Sequence, residues 1–171
     1  MTADAFKQTY LPYHPTFYRI AYRMLGNAAD AEDMVQDLYV RLWNARSVLE
    51  KVQNAEAYGV TLIRNRCIDR LRSAGYRVGR EAVASPTLPL ANDQDAPLID
   101  SQDDLRIIRQ LVDRLPDRQK EIFELRYFRD LAPEEIEKVT GLSAGNVRVL
   151  LHRARTTVTE QFNQLNTPHT L

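Results

Sequence analysis

The most informative part of the sequence is Leu115–Arg155, which reads LPDRQKEIFELRYFRDLAPEEIEKVTGLSAGNVRVLLHRAR. It predicts two or three short helices followed by a long one, and Gly141-Leu142-Ser143 lies where a helix-turn-helix would turn. After Ser143 the chain carries several cations and no acidic residue before Glu160. Because a cationic helix behind a tight turn can enter the major groove of DNA, this stretch predicts a DNA-binding module.

Residues that start and stop helices set the predicted boundaries within this module. Asp117 is expected to cap the helix after Pro116, and Pro133 suits the first turn of the next helix. Gly141 can adopt the positive φ that follows a helix C-terminus, and Ser143 can cap the last helix. The predicted buried stripe of that last helix is Val147, Leu150, Leu151 and Ala154.

The polar residues of the last helix are expected to point outward and to contact DNA. Asparagine can pair bidentately with adenine, and arginine can pair with guanine or bind phosphate. A solvated face with no specific partner is the alternative, but the turn and the preceding helix favour DNA. No metal site is expected at the lone His152, because no second ligand lies at metal-site spacing. The candidate DNA-binding residues here are Ser143, Asn146, Arg148, His152, Arg153 and Arg155.

The composition is that of a globular protein with segregated charge. The 171 residues are 44% hydrophobic and 27% charged, with a formal net charge of zero. One cysteine, Cys67, excludes an internal disulfide. There is no apolar run of the ~20 residues that span a bilayer and no signal-peptide pattern, so we expect a cytoplasmic protein.

We predict an all-α chain of two small helical domains joined by a flexible linker. A helix over 3–26 must kink or split at Pro12 and Pro15, and a second helix is expected over about 28–46. After a connection over 46–53, Asn54 is a plausible cap for a third helix that reaches about Ser73. The proline-rich segment that follows lacks periodicity and is too long for a routine loop. The predicted domains are 1–75 and 102–165, with a linker over 76–101 and a tail over 166–171.

Two charged clusters lie in the first domain. The acidic cluster is Asp30, Glu32, Asp33 and Asp37. The basic cluster, opposed only by Asp69, is Arg64, Arg66, Arg70, Arg72, Arg77 and Arg80. This segregation suggests several surfaces that meet different partners, at least one of them polyanionic.

Two blocks of sequence in this domain, residues 18–43 and 57–72, resemble region 2 of bacterial extracytoplasmic-function (ECF) sigma factors. They read YRIAYRMLGNAADAEDMVQDLYVRLW and AYGVTLIRNRCIDRLR. The matching motifs are D-A-E-D-x-x-Q-D over 30–37 and R-N-x-x-x-D-x-x-R over 64–72. The segments LPDRQKEIFELRYF and NVRVLLHRAR resemble region 4 of the same family.

The resemblance implies a role for each domain. Region 2 would dock on the β′ clamp helices of core RNA polymerase and engage the −10 element of promoter DNA. Region 4 would dock on the β flap and read the −35 element through the last helix, while the linker threads toward the active-site channel. It also implies an anti-sigma factor as a partner, and no cofactor or catalytic residue. The implied polymerase-binding residues are Asp30, Glu32, Asp33, Gln36 and Asp37; those for the −10 element are Asn54, Arg64, Asn65, Arg66, Arg70 and Arg72.

Simpler interpretations of these clusters remain open. Carboxylates at a helix N-terminus are favoured by the helix dipole, which accounts for Asp30 and Asp33 but not for Asp37, one turn later. The arginine-rich helix could be merely solvated, and Asp69 is expected to pair with an arginine. The chain also departs from the family at Leu150, where many members have a basic residue, and at Glu137, where many have alanine.

Two other functions compete with a sigma factor. A stand-alone helix-turn-helix regulator would bind operators without polymerase, and would not need the two charged blocks of the first domain. An enzyme would need catalytic machinery, but we find no Gly-rich phosphate loop, no metal-ligand cluster and no nucleophile with an evident base.

Overall fold

The computed structural model describes residues 1–73 and 102–166. The chain separates into two compact units, Met1–Ala84 and Ser85–Leu171, and the division lies outside the described residues. Every regular element among the described residues is helical. The predicted all-α class is therefore confirmed. The predicted linker over 76–101, with Arg77 and Arg80, and the tail after Asn166 lie outside the described residues.

The first unit begins with two helices in place of one continuous helix. Helix α1 spans Ala3–Tyr10, a 3-10 turn spans Leu11–Tyr13, and α2 spans His14–Leu25. The split falls at the two prolines, as predicted, because neither has a backbone N–H to donate. Gly26 ends α2 with φ 71°, and Asn27 then caps α3, since its side chain accepts a hydrogen bond of 3.2 Å from the Asp30 amide.

Helix α3 spans Ala28–Asn44, a short α4 spans Arg46–Leu49, and α5 spans Ala55–Ser73. The sequence prediction had only a connection where α4 lies. Asn54 caps α5 as predicted, because its side-chain oxygen accepts a 3.0 Å hydrogen bond from the Ala57 amide. The core lies where α2, α3 and α5 pack together around Phe17, Leu38 and Ile63, all fully buried.

The second unit contains α6 (Gln102–Asp113), α7 (Asp117–Phe123), a π-helical turn (Glu124–Phe128), α8 (Pro133–Thr140) and α9 (Ala144–Asn166). The expected cap at Asp117 is wrong: Pro116 holds the N-cap position, without a side-chain hydrogen bond, and Asp117 is the first helical residue. Pro116 has an extended ψ and takes the N-cap position. Asp117 therefore lies one position later, in the first turn, where the helix dipole favours its negative charge. The π-helical turn was not predicted.

The predicted turn between α8 and α9 is present. Pro133 begins α8, Gly141 ends it with φ 75°, and Ser143 caps α9 through a 3.3 Å hydrogen bond from the Asn146 amide to its hydroxyl. Helix α9 packs against α6, α7 and α8. Its buried stripe contains Val147, Leu151 and Ala154 as predicted and continues to Val158 and Phe162, whereas Leu150 is only half-buried.

Candidate nucleic-acid and polymerase interfaces

The acidic residues of α3 form one solvent-facing strip. Glu32, Asp33 and Gln36 are exposed, while Asp30 and Asp37 are partly covered. Asp30 lies in the first turn, where the helix dipole favours a carboxylate. The strip covers about two turns, so it extends beyond the part of the helix that the dipole can explain.

The partly covered acids form ion pairs with the arginines of α5. Arg66 Nε lies 2.8 Å from Asp37 Oδ2, and Arg70 Nη2 lies 3.2 Å from Asp30 Oδ1. Asp37 also accepts a hydrogen bond of 3.0 Å from Arg41 on its own helix. The two clusters that the sequence presented as separate surfaces therefore meet along the α3–α5 contact. These pairs were not predicted from the sequence, because their members are 29 and 40 residues apart.

The other predicted contacts for the −10 element lie on the outer part of α5. Asn65 and Arg72 are exposed, and Arg64 is half-buried. Asp69 is exposed and lies 3.9 Å from Arg66, in agreement with the expectation that it pairs with an arginine. Asn54 uses its side-chain oxygen to cap α5, and its side-chain NH2 group can still donate hydrogen bonds to another ligand.

Arg46 and Trp43 form a cation–π pair at the start of the segment before α5. This pair was not predicted from the sequence. The guanidinium of Arg46 lies 4.3 Å from the centre of the Trp43 ring and donates a 3.0 Å hydrogen bond to the Trp43 carbonyl. Trp43 is half-buried against Phe6, with ring centres 5.3 Å apart. The tryptophan thus contacts Phe6 in an edge-to-face arrangement and Arg46 across a ring face. The spacing of Trp and Arg by three residues was the available signal.

The face of α9 that points away from the core carries Asn146, His152 and Arg153, all exposed. Arg148 is exposed as well and lines a groove between α8 and α9 with Glu134 and Glu137. Within the described residues, no carboxylate oxygen lies within 4.0 Å of the Arg148 or Arg153 guanidinium. These cations are therefore available to an anionic partner.

Arg155 differs from the expected outward orientation. It is half-buried, and its guanidinium donates a 3.3 Å hydrogen bond to the hydroxyl of Tyr127. Tyr127 belongs to the π-helical turn, whose altered winding was not visible in the sequence. Arg155 thus connects the middle of α9 to the π-helical turn and lies at the edge of the exposed face.

Two glutamates of the second unit have perturbed acidity. Burial raises the pKa of Glu124 against the opposing attraction of Lys120 and Arg129. Burial also raises the pKa of Glu121, although Arg118 lies 3.2 Å away. Both residues lie on α7 or the turn after it, so their charge does not belong to the exposed face of α9.

Neither a metal site nor a membrane span is found in the described part of the chain. Among residues 1–73 and 102–166, no group of three His, Cys, Asp or Glu side chains could hold a metal ion. In the same ranges, no helix is both long and apolar enough to cross a membrane.

Comparison with known proteins identifies the family of both units. The family model for Sigma-70 region 2 matches residues 9–76, and that for Sigma-70 region 4 matches residues 105–158. The ECF RNA polymerase sigma factor SigW of Bacillus subtilis is 25% identical over 170 residues, which cover 95% of this chain and 91% of SigW. The chain belongs to the ECF RNA polymerase sigma factors. It is thus a transcription initiation factor that directs RNA polymerase, and this family carries no enzymatic activity of its own.

The chain is also similar to a second curated relative and to a solved structure. SigL of Mycobacterium tuberculosis, also an ECF sigma factor, is 28% identical over 154 residues, covering 89% of this chain and 85% of SigL. Among solved structures, the sigma factor RpoE of Bartonella quintana, in complex with the anti-sigma factor NepR, is 21% identical with a TM-score of 0.42. That match covers 96% of this chain and 100% of the RpoE chain. The family assignment favours the sigma factor over the stand-alone regulator, which has no use for a region 2 unit.

Proposed function

We propose that this ECF sigma factor binds core RNA polymerase through α3, places α9 in the −35 element and uses α5 at the −10 element as the DNA opens. The observation that carries this proposal is the pair of charged faces in two separate helical units. One face is acidic and unsuited to DNA, and the other is cationic and behind a helix-turn-helix turn.

The proposed polymerase-binding surface is the acidic strip of α3. Its residues are Asp30, Glu32, Asp33, Gln36 and Asp37. Carboxylates repel the DNA backbone, so a basic protein surface is the partner that fits them, and the β′ clamp helices are the family's docking site. Asp33 is exposed and has no ion-pair partner among residues 1–73 and 102–166, whereas Asp37 shares its charge with Arg41 and Arg66.

The proposed −10 surface is the outer part of α5. Arg72 and Asn65 are exposed and suit phosphate and base contacts, with Arg64 beside them. Arg66 and Arg70 join this surface at its border with α3, where they also hold α5 against the acidic strip. Opening DNA needs no catalytic group, because stacking and phosphate contacts offset the few kcal/mol that an unpaired base costs.

The proposed −35 surface is the exposed face of α9. Arg148 and Arg153 would bind guanine or phosphate, and Asn146 would pair with adenine. Ser143 and His152 border this face, while Arg155 would add a phosphate contact from its place beside Tyr127. Leu150 is half-buried and supplies no charge where many family members do, so these residues carry the readout.

The wider assignments follow from the family. We propose domain boundaries at 1–75 and 102–165, a linker over 76–101 that runs toward the polymerase active site, and β flap contact by the second domain. We place the protein in the bacterial cytoplasm, where RNA polymerase works. An anti-sigma factor is proposed as its regulator.

The experiment that tests the function is run-off transcription with core RNA polymerase on a randomised promoter library. The full chain should select templates that share two elements and should be retained by core polymerase in a pull-down. Absence of polymerase binding, together with tight operator binding by the free chain, would establish the stand-alone regulator instead.

A further inference from the structure

Val149 is an apolar residue in the middle of the exposed face of α9. It is 45% exposed, although Val147, two positions before it, and Leu151, two positions after it, are buried. At about 100° per residue, Val149 lies roughly opposite the centre of the buried stripe. Its side chain therefore stands at the centre of the outward face, and core packing does not account for its identity.

The neighbours of Val149 on that face are polar and suited to DNA. Asn146 is three residues before it and Arg153 is four after it, so both side chains lie next to it on the helix surface. Arg148, one residue away, is exposed and has no carboxylate partner among the described residues. An apolar protein surface would bury these charges without compensation, whereas a DNA groove provides phosphates for them.

We infer that Val149 contacts the C5-methyl group of a thymine in the −35 element. Valine has no donor or acceptor in its side chain, and the thymine methyl is the apolar group that a base edge presents in the major groove. Asn146 is suited to adenine and Val149 to thymine. The two side chains together therefore favour A·T base pairs at adjacent positions of the −35 element. This inference rests on the proposed placement of α9 in the −35 major groove.

The expected effect is that of one small apolar contact. Burial of a methyl-sized group contributes about 0.8 kcal/mol, which corresponds to about fourfold in affinity. Val149→Ala should not disturb the fold, because the site is exposed and alanine is the better helix former. Leu165→Ala is the matched control: Leu165 is an exposed apolar residue of the same helix, 16 positions further on.

The test uses holoenzyme made from core polymerase and the full chain, on a promoter that the wild type selects from a randomised library. Each thymine of the −35 element is replaced in turn by deoxyuridine, which lacks only the methyl group. At one thymine, wild-type affinity should fall by roughly fourfold. Val149→Ala should show the same loss on the unmodified promoter and no further loss with deoxyuridine, while Leu165→Ala behaves as wild type.

Three results would overturn the inference: a selected −35 element without thymine, Val149→Ala with wild-type affinity, or losses from the variant and from deoxyuridine that multiply. Arg153→Ala separates the inference from the proposed function. If Arg153→Ala weakens −35-dependent binding but Val149→Ala does not, the −35 role of α9 stands and only the methyl contact fails. If neither substitution has an effect, the −35 role fails as well.

Discussion

The basic faces of α5 and α9 differ in what their arginines contact within the protein. On α5, Arg66 and Arg70 lie 2.8 and 3.2 Å from carboxylate oxygens of α3. On α9, Arg148 and Arg153 have no carboxylate within 4.0 Å among the described residues. Arginines therefore help to hold the helices together on α5, whereas on α9 they are available to a binding partner.

This difference shows that a cluster of arginines in the sequence is not by itself sufficient to identify a DNA-binding surface. On α5 the positive charge is partly neutralised by the strip proposed to bind polymerase, so the two functions share side chains. On α9 the charge is uncompensated and surrounds an exposed apolar residue, Val149. We expect substitutions of Arg148 and Arg153 on α9 to change promoter recognition alone, and substitutions on the α3–α5 border to change several properties together.

The largest effect should follow from removal of the uncompensated cations of α9. Arg148→Ala and Arg153→Ala should each weaken −35-dependent promoter binding by about 1–3 kcal/mol, roughly fivefold to 150-fold, because each removes a direct base or phosphate contact. This loss is measured by comparing the affinity of the holoenzyme for promoters with and without the −35 element. Arg118→Ala is the control, since Arg118 is exposed in the same unit but pairs with Glu121. An equal loss in the control would mean that only overall charge matters.

The next effect is on stability and is seen by comparing a glycine of α5 with a glycine of α9. A Cβ at Gly59 on α5 would overlap the ring of Phe17, whereas one at Gly145 on α9 would have no neighbour within 4 Å among the described residues. Gly59→Ala should destabilise the first unit by about 1–3 kcal/mol through overpacking, and Gly145→Ala should stabilise the second by about 0.5–1 kcal/mol through helix propensity. Urea unfolding measures both. If Phe17→Leu fails to relieve Gly59→Ala, the overpacking explanation is wrong.

A smaller effect is expected at the ion pair between α3 and α5. A double-mutant cycle with Asp37→Asn and Arg66→Gln should give a coupling energy of about 0.2–1 kcal/mol for unfolding, because both side chains are about one-third exposed and water screens their attraction. Arg41→Gln in the same cycle shows how much of the Asp37 charge its own helix uses. A coupling energy of zero would mean that Arg66 is as available to DNA as the arginines of α9.

The smallest effect concerns Glu124, a half-buried carboxyl of the second unit. Since burial raises the pKa of Glu124, the folded state holds this proton to a higher pH than the unfolded state does. Stability is then lost as pH rises through the folded pKa, and the ionised group costs stability at neutral pH. Glu124→Gln should raise the urea midpoint slightly at pH 7, with no gain below the ordinary glutamate pKa of about 4.3. A gain that persists at low pH would exclude this cause.

Much of the fold could be predicted because local signals determine it. Pro12 and Pro15 split the first helix, Asn54 and Ser143 cap theirs, and Gly141 takes the positive φ of the turn. Asp117 was assigned wrongly as a cap because Pro116 could itself take that position. The residue-level site assignments stay predictions.

The features that the sequence did not reveal depend on long-range contacts. The Asp37–Arg66 pair joins two helices, and Arg155 donates a hydrogen bond to Tyr127 of the π-helical turn, 28 residues away. Spacing along the chain identifies which residues share a helix face. It does not identify what the neighbouring helix places opposite that face.

The division of roles between the two units is tested most directly by transcription from two promoters, one with both elements and one with a scrambled −35 element. Charge reversal at Asp33 and Asp37 should weaken core polymerase binding and reduce both transcripts, while −35 duplex binding by the residues of 102–166 persists. Arg148→Ala with Arg153→Ala should retain core binding and lose only the −35-dependent advantage. Normal polymerase binding and transcription after charge reversal would contradict this account.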